Sequence, residues 1–267
     1  PLAVRRFAAT AGRSLEGRVL AVTRDGDRFR ASLDDGRTIV ARRVLAATGL
    51  VDELPDIEGL AEHWGRDVIH CPFCHGYEAR DQRIVQIVTH ARGLHTAPLF
   101  RQLSARLTVL VHGNVAVDEG TVEALRAAGV SVDHGVVQRV VAGADGRITS
   151  VEVDGRRIEA DAIVLSPRFR VRAEPFEPVG LPLTAHPSGV GEVVETDASG
   201  ATSVPGLYAA GNVTDPSQQV LQAAADGSRI GGMISFDLAE EDLAALSRPT
   251  AGESDWDGRY GDEHIWS

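Results

Sequence analysis

The feature that most constrains the fold is a regular alternation of strand-like and helix-like segments in the middle of the chain. Short apolar runs rich in Val, Ile and Leu alternate with stretches whose apolar residues recur every three or four positions. In order, these segments are 83–89, 94–103, 107–112, 121–128 and 130–134. Strands separated by helices form parallel sheets, because the chain must cross back over the sheet between them. The sequence therefore predicts an α/β protein.

β-type segments flank this core on both sides. Residues 17–47 contain three short runs separated by Asp-Gly turns, which predict an antiparallel meander whose third run is 38–47. A hairpin at 138–153 predicts an excursion from the parallel sheet. Towards the end, a strand at 202–212 that finishes in small residues precedes a long Ala- and Gly-rich helix at 218–239.

The charge and composition exclude several classes of protein. The 267 residues carry a formal net charge of −11, so the chain lacks the excess of basic residues with which proteins bind nucleic-acid phosphates. No apolar run approaches the roughly 20 residues of a membrane span, and no signal peptide opens the chain. Two cysteines are too few for a disulfide scaffold. We therefore expect a cytoplasmic protein that binds neither nucleic acid nor membrane.

Both cysteines lie in one segment, residues 70–78, which reads HCPFCHGYE. The thiols of Cys71 and Cys74 are close enough in sequence to form a small disulfide ring, and neighbouring imidazoles or a helix N-terminus favour the thiolate. Dithiol–disulfide exchange is therefore the leading chemistry. Zinc binding is the alternative, although a structural zinc site usually needs a second pair of Cys or His ligands.

Three motifs together resemble the thioredoxin reductase-like flavoproteins. The first is the CPFC segment with its following HGYE, and the second is Ala47-Thr48-Gly49, which resembles the ATG strand end of that family. The third is the strand at 202–212, followed by Gln218-Gln219-Val220 and the small residues 223–227, which resembles the C-terminal flavin motif. The resemblance covers nearly the whole chain. It implies a FAD/NAD(P)-binding, three-layer (β/β/α) Rossmann-like fold of two domains.

The resemblance implies that FAD is the cofactor. Carried over residue by residue, the implied FAD contacts are Thr48, Gly49, Gly211, Asn212, Gln219, Val220 and Ala223. The alternatives are structural: Asn212 as a neutral helix cap, and Gln219 with the small residues after it as helix packing.

The same resemblance implies a discontinuous FAD domain at residues 1–66 and 171–247. An NAD(P)-binding-like domain that carries the cysteines interrupts it at 67–170. Members of this family open with a GxGxxG turn that holds the FAD pyrophosphate, and none precedes the first strand here. We therefore expect an incomplete FAD domain that holds FAD weakly. Residues 255–261 and 264–267 resemble the opening of class I SAM-dependent methyltransferases, so 248–267 are expected to be a linker and the start of such a domain.

The resemblance also assigns roles around the cysteines. It implies that Cys74 lies nearer the flavin and forms the charge-transfer thiolate, while Cys71 exchanges with the substrate. His75 stands where the family has an acid–base Asp, and an imidazole titrates near neutrality, so His75 is the candidate for that role. His70 and Glu78 are the alternatives, and a solvated loop position is the structural reading of His75.

The nucleotide site departs from the family pattern. Of the glycine-rich turn after the strand at 83–89 only Gly93 remains, and His112-Gly113-Asn114 replaces an HRR-like cluster. A turn without glycines does not readily bring its amides up to a pyrophosphate, which argues against NADP(H) as the electron donor.

Partners follow from the same family pattern. The expected substrate is a thioredoxin-like protein or a small dithiol or disulfide, and relatives of this type imply a homodimer. Two alternatives remain open: a small-molecule dithiol oxidase that passes electrons to O₂ without NADPH, and a non-catalytic module that regulates a fused methyltransferase.

Overall fold

A computed structural model of the protein describes residues 14–247. In chain order the strands are β1 (Val19–Asp25), β2 (Arg28–Leu33), β3 (Thr38–Ala41), β4 (Val44–Ala46), β5 (Leu50–Glu53), β6 (Val68–Ile69), β7 (Ile84–Val88), β8 (Leu107–His112), β9 (Ser131–Gly135), β10 (Val137–Ala142), β11 (Ile148–Val153), β12 (Arg156–Glu159), β13 (Ala162–Leu165), β14 (Arg168–Val171), β15 (Leu183–Ala185), β16 (Glu192–Val194) and β17 (Leu207–Ala209). The α-helices are α1 (Pro72–His75), α2 (Ala97–Leu103), α3 (Glu119–Ala127) and α4 (Val220–Leu246). The methyltransferase-like stretch 248–267 lies outside the described residues.

The centre of the molecule is a five-stranded parallel sheet in the order β6-β13-β7-β8-β9. Every residue of β7 is buried, as a strand covered on both faces requires. Ile84 and Val88 belong to the apolar cluster that includes residues of α2 and α3. Val85 and Ile87 belong to a second cluster shared with the antiparallel sheet β10-β11-β12. This arrangement is the predicted β/β/α sandwich, with helices on one face and a small β-sheet on the other.

The predicted N-terminal meander forms, but its third run is divided. β1, β2 and β3 pair antiparallel, whereas β4 leaves that sheet and pairs parallel with β17. The predicted strand 38–47 is therefore wrong as a single element. The break falls at Arg42 and Arg43, whose side chains form ion pairs with carboxylates of α4. Those charges hold the backbone in a bend between two sheets.

Two segments run side by side between the parallel sheet and the rest of the molecule. They are β5 and β14, which pair antiparallel from Leu50 opposite Val171 to Glu53 opposite Arg168. Beyond this ladder, Ile57 and Leu60 already pack in the cluster of the β10-β11-β12 layer. The division at residues 66/67 and 170/171 stays a prediction.

The helices differ from their predicted bounds for local reasons. The pattern at 94–103 divides into a 3₁₀ turn at Ala91–Leu94 and then α2. α3 begins earlier than predicted because Asp118 caps it, accepting a 2.7 Å hydrogen bond from the amide of Thr121. α4 extends to Leu246, beyond the predicted end at 239. No helix within residues 14–247 is both long and apolar enough to cross a membrane.

Candidate active site

The two cysteines lie where the edge strand β6 gives way to α1. Cys71 is the N-cap residue with an extended backbone, Pro72 opens the helix, and Cys74 lies inside it. Proline suits this first position because its fixed φ is helical and its missing N–H would have no partner there. The turn places the two Sγ atoms 2.9 Å apart, with both thiols free. A small change in this turn is enough to form or open a disulfide.

The thiols differ in protonation and exposure. The Cys74 thiol donates to Sγ of Cys71, and this bond, with burial adding to it, raises the pKa of Cys74 to about 11. Cys74 therefore keeps its proton at neutral pH. It is also exposed, whereas Cys71 is half-buried. In this conformation Cys74 is the more accessible sulfur, while the roles implied for the two cysteines stay predictions.

The candidate acid–base residues lie around this turn without bonding to it. His75 is exposed at the end of α1 and lines a small cavity of about 140 Å³ together with Glu78. Neither residue makes a hydrogen bond to a sulfur within the described part of the chain. His70 is half-buried, and its ring meets Phe169 edge-on with 5.7 Å between centroids. Burial lowers the pKa of His70, against the opposing charge of Asp52.

The predicted flavin residues converge where β4 and β17 end side by side. Beyond these strands, Gly49 and Gly211 adopt left-handed backbone conformations with φ of 75° and 84°. A Cβ at Gly49 would lie 3.8 Å from Oδ1 of Asn212, and one at Gly211 would lie 3.6 Å from Cβ of Ala223. Four residues predicted from distant motifs thus meet at one point.

The remaining predicted residues lie around this point. Oγ1 of Thr48 donates to the carbonyl oxygen of Arg172 at 2.9 Å. Gln219 is the N-cap of α4 and forms a reciprocal capping box with Gln222, and Val220 begins the helix with 84% of its surface exposed. The structural and the cofactor-binding readings of Gln219 are therefore compatible.

Two further residues of the same motif, which are not among the predicted FAD contacts, also lie at this point. The carboxylate of Asp226 accepts a 2.9 Å hydrogen bond from the amide of Gly211. Burial opposes ionisation of Asp226, but this amide and Arg229 outweigh it and keep its pKa below the ordinary value. Oε1 of Gln218 is buried and has no hydrogen-bond partner among residues 14–247. In sequence, both residues read as polar positions of a helix and its preceding loop.

These residues fit a flavin. Left-handed glycines leave the backbone of two strand ends open to close approach by a ligand, as flat cofactors require. The unpartnered Gln218 oxygen offers an acceptor for the N–H group that a flavin ring carries. The N-terminus of the 27-residue helix α4 adds a positive end of a helix dipole nearby. Thr48, Gly49, Gly211, Asn212 and Ala223 would line such a site.

The turn after β7 is used for packing. A Cβ at Gly93 would lie 3.1 Å from Cγ1 of Val88, and the Gly93 carbonyl accepts a 2.5 Å hydrogen bond from Nε2 of Gln86. His90 crosses to the neighbouring strand β13, where its Nε2 donates to the carbonyl oxygen of Ser166 at 3.1 Å. Gly93 thus packs the turn against β7, and the His90 imidazole connects the ends of the parallel strands β7 and β13.

A cavity opens beside this bridge, between the parallel sheet and the segments near α4. Its walls include four imidazoles: His70, His90, His95 and His186. The sequence gives these histidines no metal-ligand spacing, and residues 14–247 contain no group of three or more His, Cys, Asp or Glu side chains that could hold a metal ion. The sequence signal for three of these wall residues is that His70, His90 and Ser166 each follow a strand of one parallel sheet. The ends of such strands lie at the same edge of the sheet.

Comparisons with known proteins agree with this geometry. Residues 3–227 match the family described as pyridine nucleotide-disulphide oxidoreductase. The thioredoxin reductase sirT of Leptosphaeria maculans is 30% identical over 226 residues, which cover 80% of this chain and 68% of that protein. The thioredoxin reductase tcpT of Claviceps purpurea (strain 20.1) is 31% identical over 227 residues, covering 82% and 70%. The crystal structure of HlmI, 35% identical, superposes with a TM-score of 0.79 over 91% of this chain and 76% of that one.

These relatives decide the class of enzyme. The family uses FAD, and NADPH is the reductant of its thioredoxin reductases. The matching segment includes both the cysteine turn and the paired strand ends of β4 and β17. The chain therefore belongs to the pyridine nucleotide-disulphide oxidoreductase family, as an oxidoreductase of the thioredoxin reductase type.

Proposed function

We propose that this protein exchanges electrons between FAD and a thiol substrate through Cys71 and Cys74. The observation that carries the proposal is the pair of free thiols, 2.9 Å apart, on a chain whose paired strand ends fit a flavin. The substrate is a thioredoxin-like protein or a small dithiol or disulfide. As in relatives of this type, the active unit is a homodimer.

The chemistry of the cysteine pair is thiol–disulfide exchange. When the pair is a disulfide, a substrate thiolate attacks one sulfur, and the other leaves as a thiolate. The second substrate thiol then displaces the first sulfur, so that a substrate disulfide and a cysteine dithiol form. Two electrons pass from substrate to protein, and the reverse sequence reduces a disulfide. FAD supplies the two-electron carrier at the other side of the pair.

Proton transfer accompanies each exchange. The Cys74 thiol holds a proton at neutral pH and donates a hydrogen bond to Sγ of Cys71. We assign the further acid–base role to His75, which borders the pair in sequence and is exposed to solvent. His70, half-buried before Cys71, is the alternative.

The experiment uses the FAD-loaded chain and a neutral dithiol, dihydrolipoamide, without oxygen. The visible absorbance of oxidised flavin should disappear as the dithiol is consumed. Cys71→Ser and Cys74→Ser should each stop this bleaching, whereas Arg80→Gln, two residues beyond the cysteine segment, should leave it unchanged. Bleaching at the normal rate in Cys71→Ser would contradict the proposal, whereas no bleaching of the parent chain would favour a non-catalytic module.

A second candidate is a dithiol oxidase that uses O₂ in place of NADPH. The observation that favours it is the turn after β7, where Gly93 packs on Val88 and His90 bonds across to Ser166. Mixing the FAD-loaded chain with NADPH anaerobically separates the candidates. Rapid bleaching supports the reductase. No bleaching, together with one H₂O₂ formed per dithiol oxidised in air, supports the oxidase.

A further inference from the structure

The cavity beside the His90 bridge has an unusual lining for so acidic a protein. It encloses about 200 Å³, less than the roughly 300 Å³ at which sites for drug-sized ligands begin. Four imidazoles and the guanidinium of Arg92 line it, and no carboxylate of residues 14–247 does. The whole chain carries a net charge of −11, so this lining is a local reversal of the overall charge.

Hydrogen bonds fix which ring nitrogens are free. Nδ1 of His186 accepts from the amide of Ser188 at 3.3 Å, so in the neutral ring Nε2 carries the proton. Nδ1 of His95 donates to the carbonyl oxygen of Arg92 at 2.7 Å. His90 has its Nε2 engaged with Ser166. One nitrogen on each ring is therefore outside these bonds, as a donor on His186 and as a protonatable site on His90 and His95.

Ser166 gives an independent sign of a ligand. It follows β13, lines the cavity and is only 6% exposed. Its Oγ is buried without a hydrogen-bond partner in the described part of the chain. A buried hydroxyl without a partner is costly, and a ligand oxygen that reached it from the cavity would remove that cost.

We propose that this cavity binds the carboxylate of a small anionic thiol substrate. The inference rests on the proposed function, because it places a substrate arm beside the reactive pair. His70 lines the cavity and immediately precedes Cys71, so the two Cα atoms are about 3.8 Å apart. A substrate anchored among Arg92, Ser166 and His186 would reach the cysteine turn by extending past His70.

The electrostatics agree with an anion. Burial lowers the pKa of His90, although its hydrogen bond to the Ser166 carbonyl opposes this. The positive charges of Arg168 and Arg92 lower it further, so this ring is neutral in the free cavity at neutral pH. Burial also lowers the pKa of His70, and the negative charge of Asp52 opposes this. A bound carboxylate favours the protonated rings, so the affinity for an anion should rise as the pH falls below neutrality.

Lipoate and lipoamide test the assignment, since these cyclic disulfides differ only in a carboxylate against an amide. With the cysteine pair oxidised neither can exchange, and calorimetry on the FAD-loaded chain measures binding alone. Lipoate should bind about tenfold more tightly, as a charge-assisted contact implies. Arg92→Gln and His186→Gln should each remove this preference, and Ser166→Ala should reduce it. Arg80→Gln, outside the cavity, should retain it.

The outcomes distinguish this inference from the proposed function. Equal affinities for lipoate and lipoamide, or a preference that survives Arg92→Gln, would overturn the carboxylate site. Binding of NADPH that depends on Arg92, with no preference for lipoate, would assign the cavity to a nucleotide phosphate and also overturn it. Dihydrolipoamide has no carboxylate, so its turnover tests only the cysteine chemistry. If that turnover depends on Cys71 while lipoate shows no preference, the proposed function stands and this inference fails.

Discussion

At the scale of single residues, the site depends on an asymmetry between two chemically identical thiols. Cys74 donates its proton to Cys71, which raises the pKa of Cys74 to about 11. Thiolates, not thiols, are the nucleophiles, so the raised pKa makes Cys74 a poor nucleophile at neutral pH. The turn sets up the hydrogen bond behind this difference, because Cys71 lies at the helix cap and Cys74 inside the helix, and burial adds to it.

Alkylation of the reduced chain tests this asymmetry. At pH 8 Cys74 should react slowly with iodoacetamide, and its rate should climb as the pH rises towards 11. Cys71→Ala removes the first cause of the raised pKa, so alkylation of Cys74 at pH 8 should become about tenfold faster. Peptide mass spectrometry locates the label. A rate unchanged by Cys71→Ala would contradict the hydrogen bond.

A second prediction concerns the left-handed glycines Gly49 and Gly211 at the predicted flavin site. Gly211→Ala adds a methyl group at ordinary contact distance from Ala223, so its cost is backbone strain of about 1–2 kcal/mol. FAD binding, followed by flavin fluorescence, should weaken as well. Gly232→Ala, at a helical position with open space, should instead stabilise the chain by about 0.5–1 kcal/mol. Thermal melts that rank the two variants in the opposite order would exclude this explanation.

At the scale of elements, α4 is held to the strand bend by charge. Arg43 bonds to Asp237 at 2.6 Å and to Glu241 at 2.6 Å, and Tyr208 donates to the same Asp237. The Arg43 side chain is only 15% exposed, so water competes little for it. These bonds hold the pKa of Asp237 at about 2. Burial, with the bond to Asp237, raises that of Tyr208 to about 12.

Arg43→Met should lower the free energy of unfolding by about 1–2 kcal/mol at pH 7, measured with urea. Asp237 has a folded pKa below its ordinary value of 3.8, so its ion-pair stabilisation exists above pH 4 and is lost as the pH falls towards 2. The difference between Arg43→Met and the parent chain should therefore shrink across that range. Arg42→Gln, which removes the more exposed pair with Asp242, should cost less. A difference that persists at pH 2 would show that packing, not charge, is lost.

The strands also show which parts of the fold could be predicted from the sequence and which could not. Continuous apolar runs such as β7 predict buried parallel strands because burial on both faces needs such a run. The run at 38–47 is uniformly β-prone, so nothing local shows that β3 and β4 belong to different sheets. The convergence of Gly49 with Asn212 was predictable from motifs. The cavity was predictable only in part, because Ser166 follows a strand of the parallel sheet, whereas His186 comes from a segment whose position depends on the assembled fold.

At the scale of the whole molecule, the two functional regions differ in how they are assembled. Strands β7, β8 and β9 of the parallel sheet follow one another closely along the chain, whereas the predicted flavin site joins strands from near the two ends of the described chain. The ion pair between Arg43 and Asp237 spans 194 residues. Contacts between distant segments form later, because loop closure must be compensated before they contribute.

Pulse-labelling hydrogen exchange during refolding should show this order. Amides of β7 and β8 should gain protection before those of β4 and β17. Simultaneous protection of all four strands would rule it out.

The pairing of β4 with β17 therefore has a consequence for how the enzyme fails. Each of these strands has three residues, and their ladder joins segments from near the two ends of the described chain. Mild heating should therefore open this ladder before the central sheet melts. A heated or proteolysed sample should lose its capacity for cofactor while the cysteine turn, seated on the parallel sheet, stays folded. Ageing preparations should then accumulate a colourless species whose two thiols still titrate.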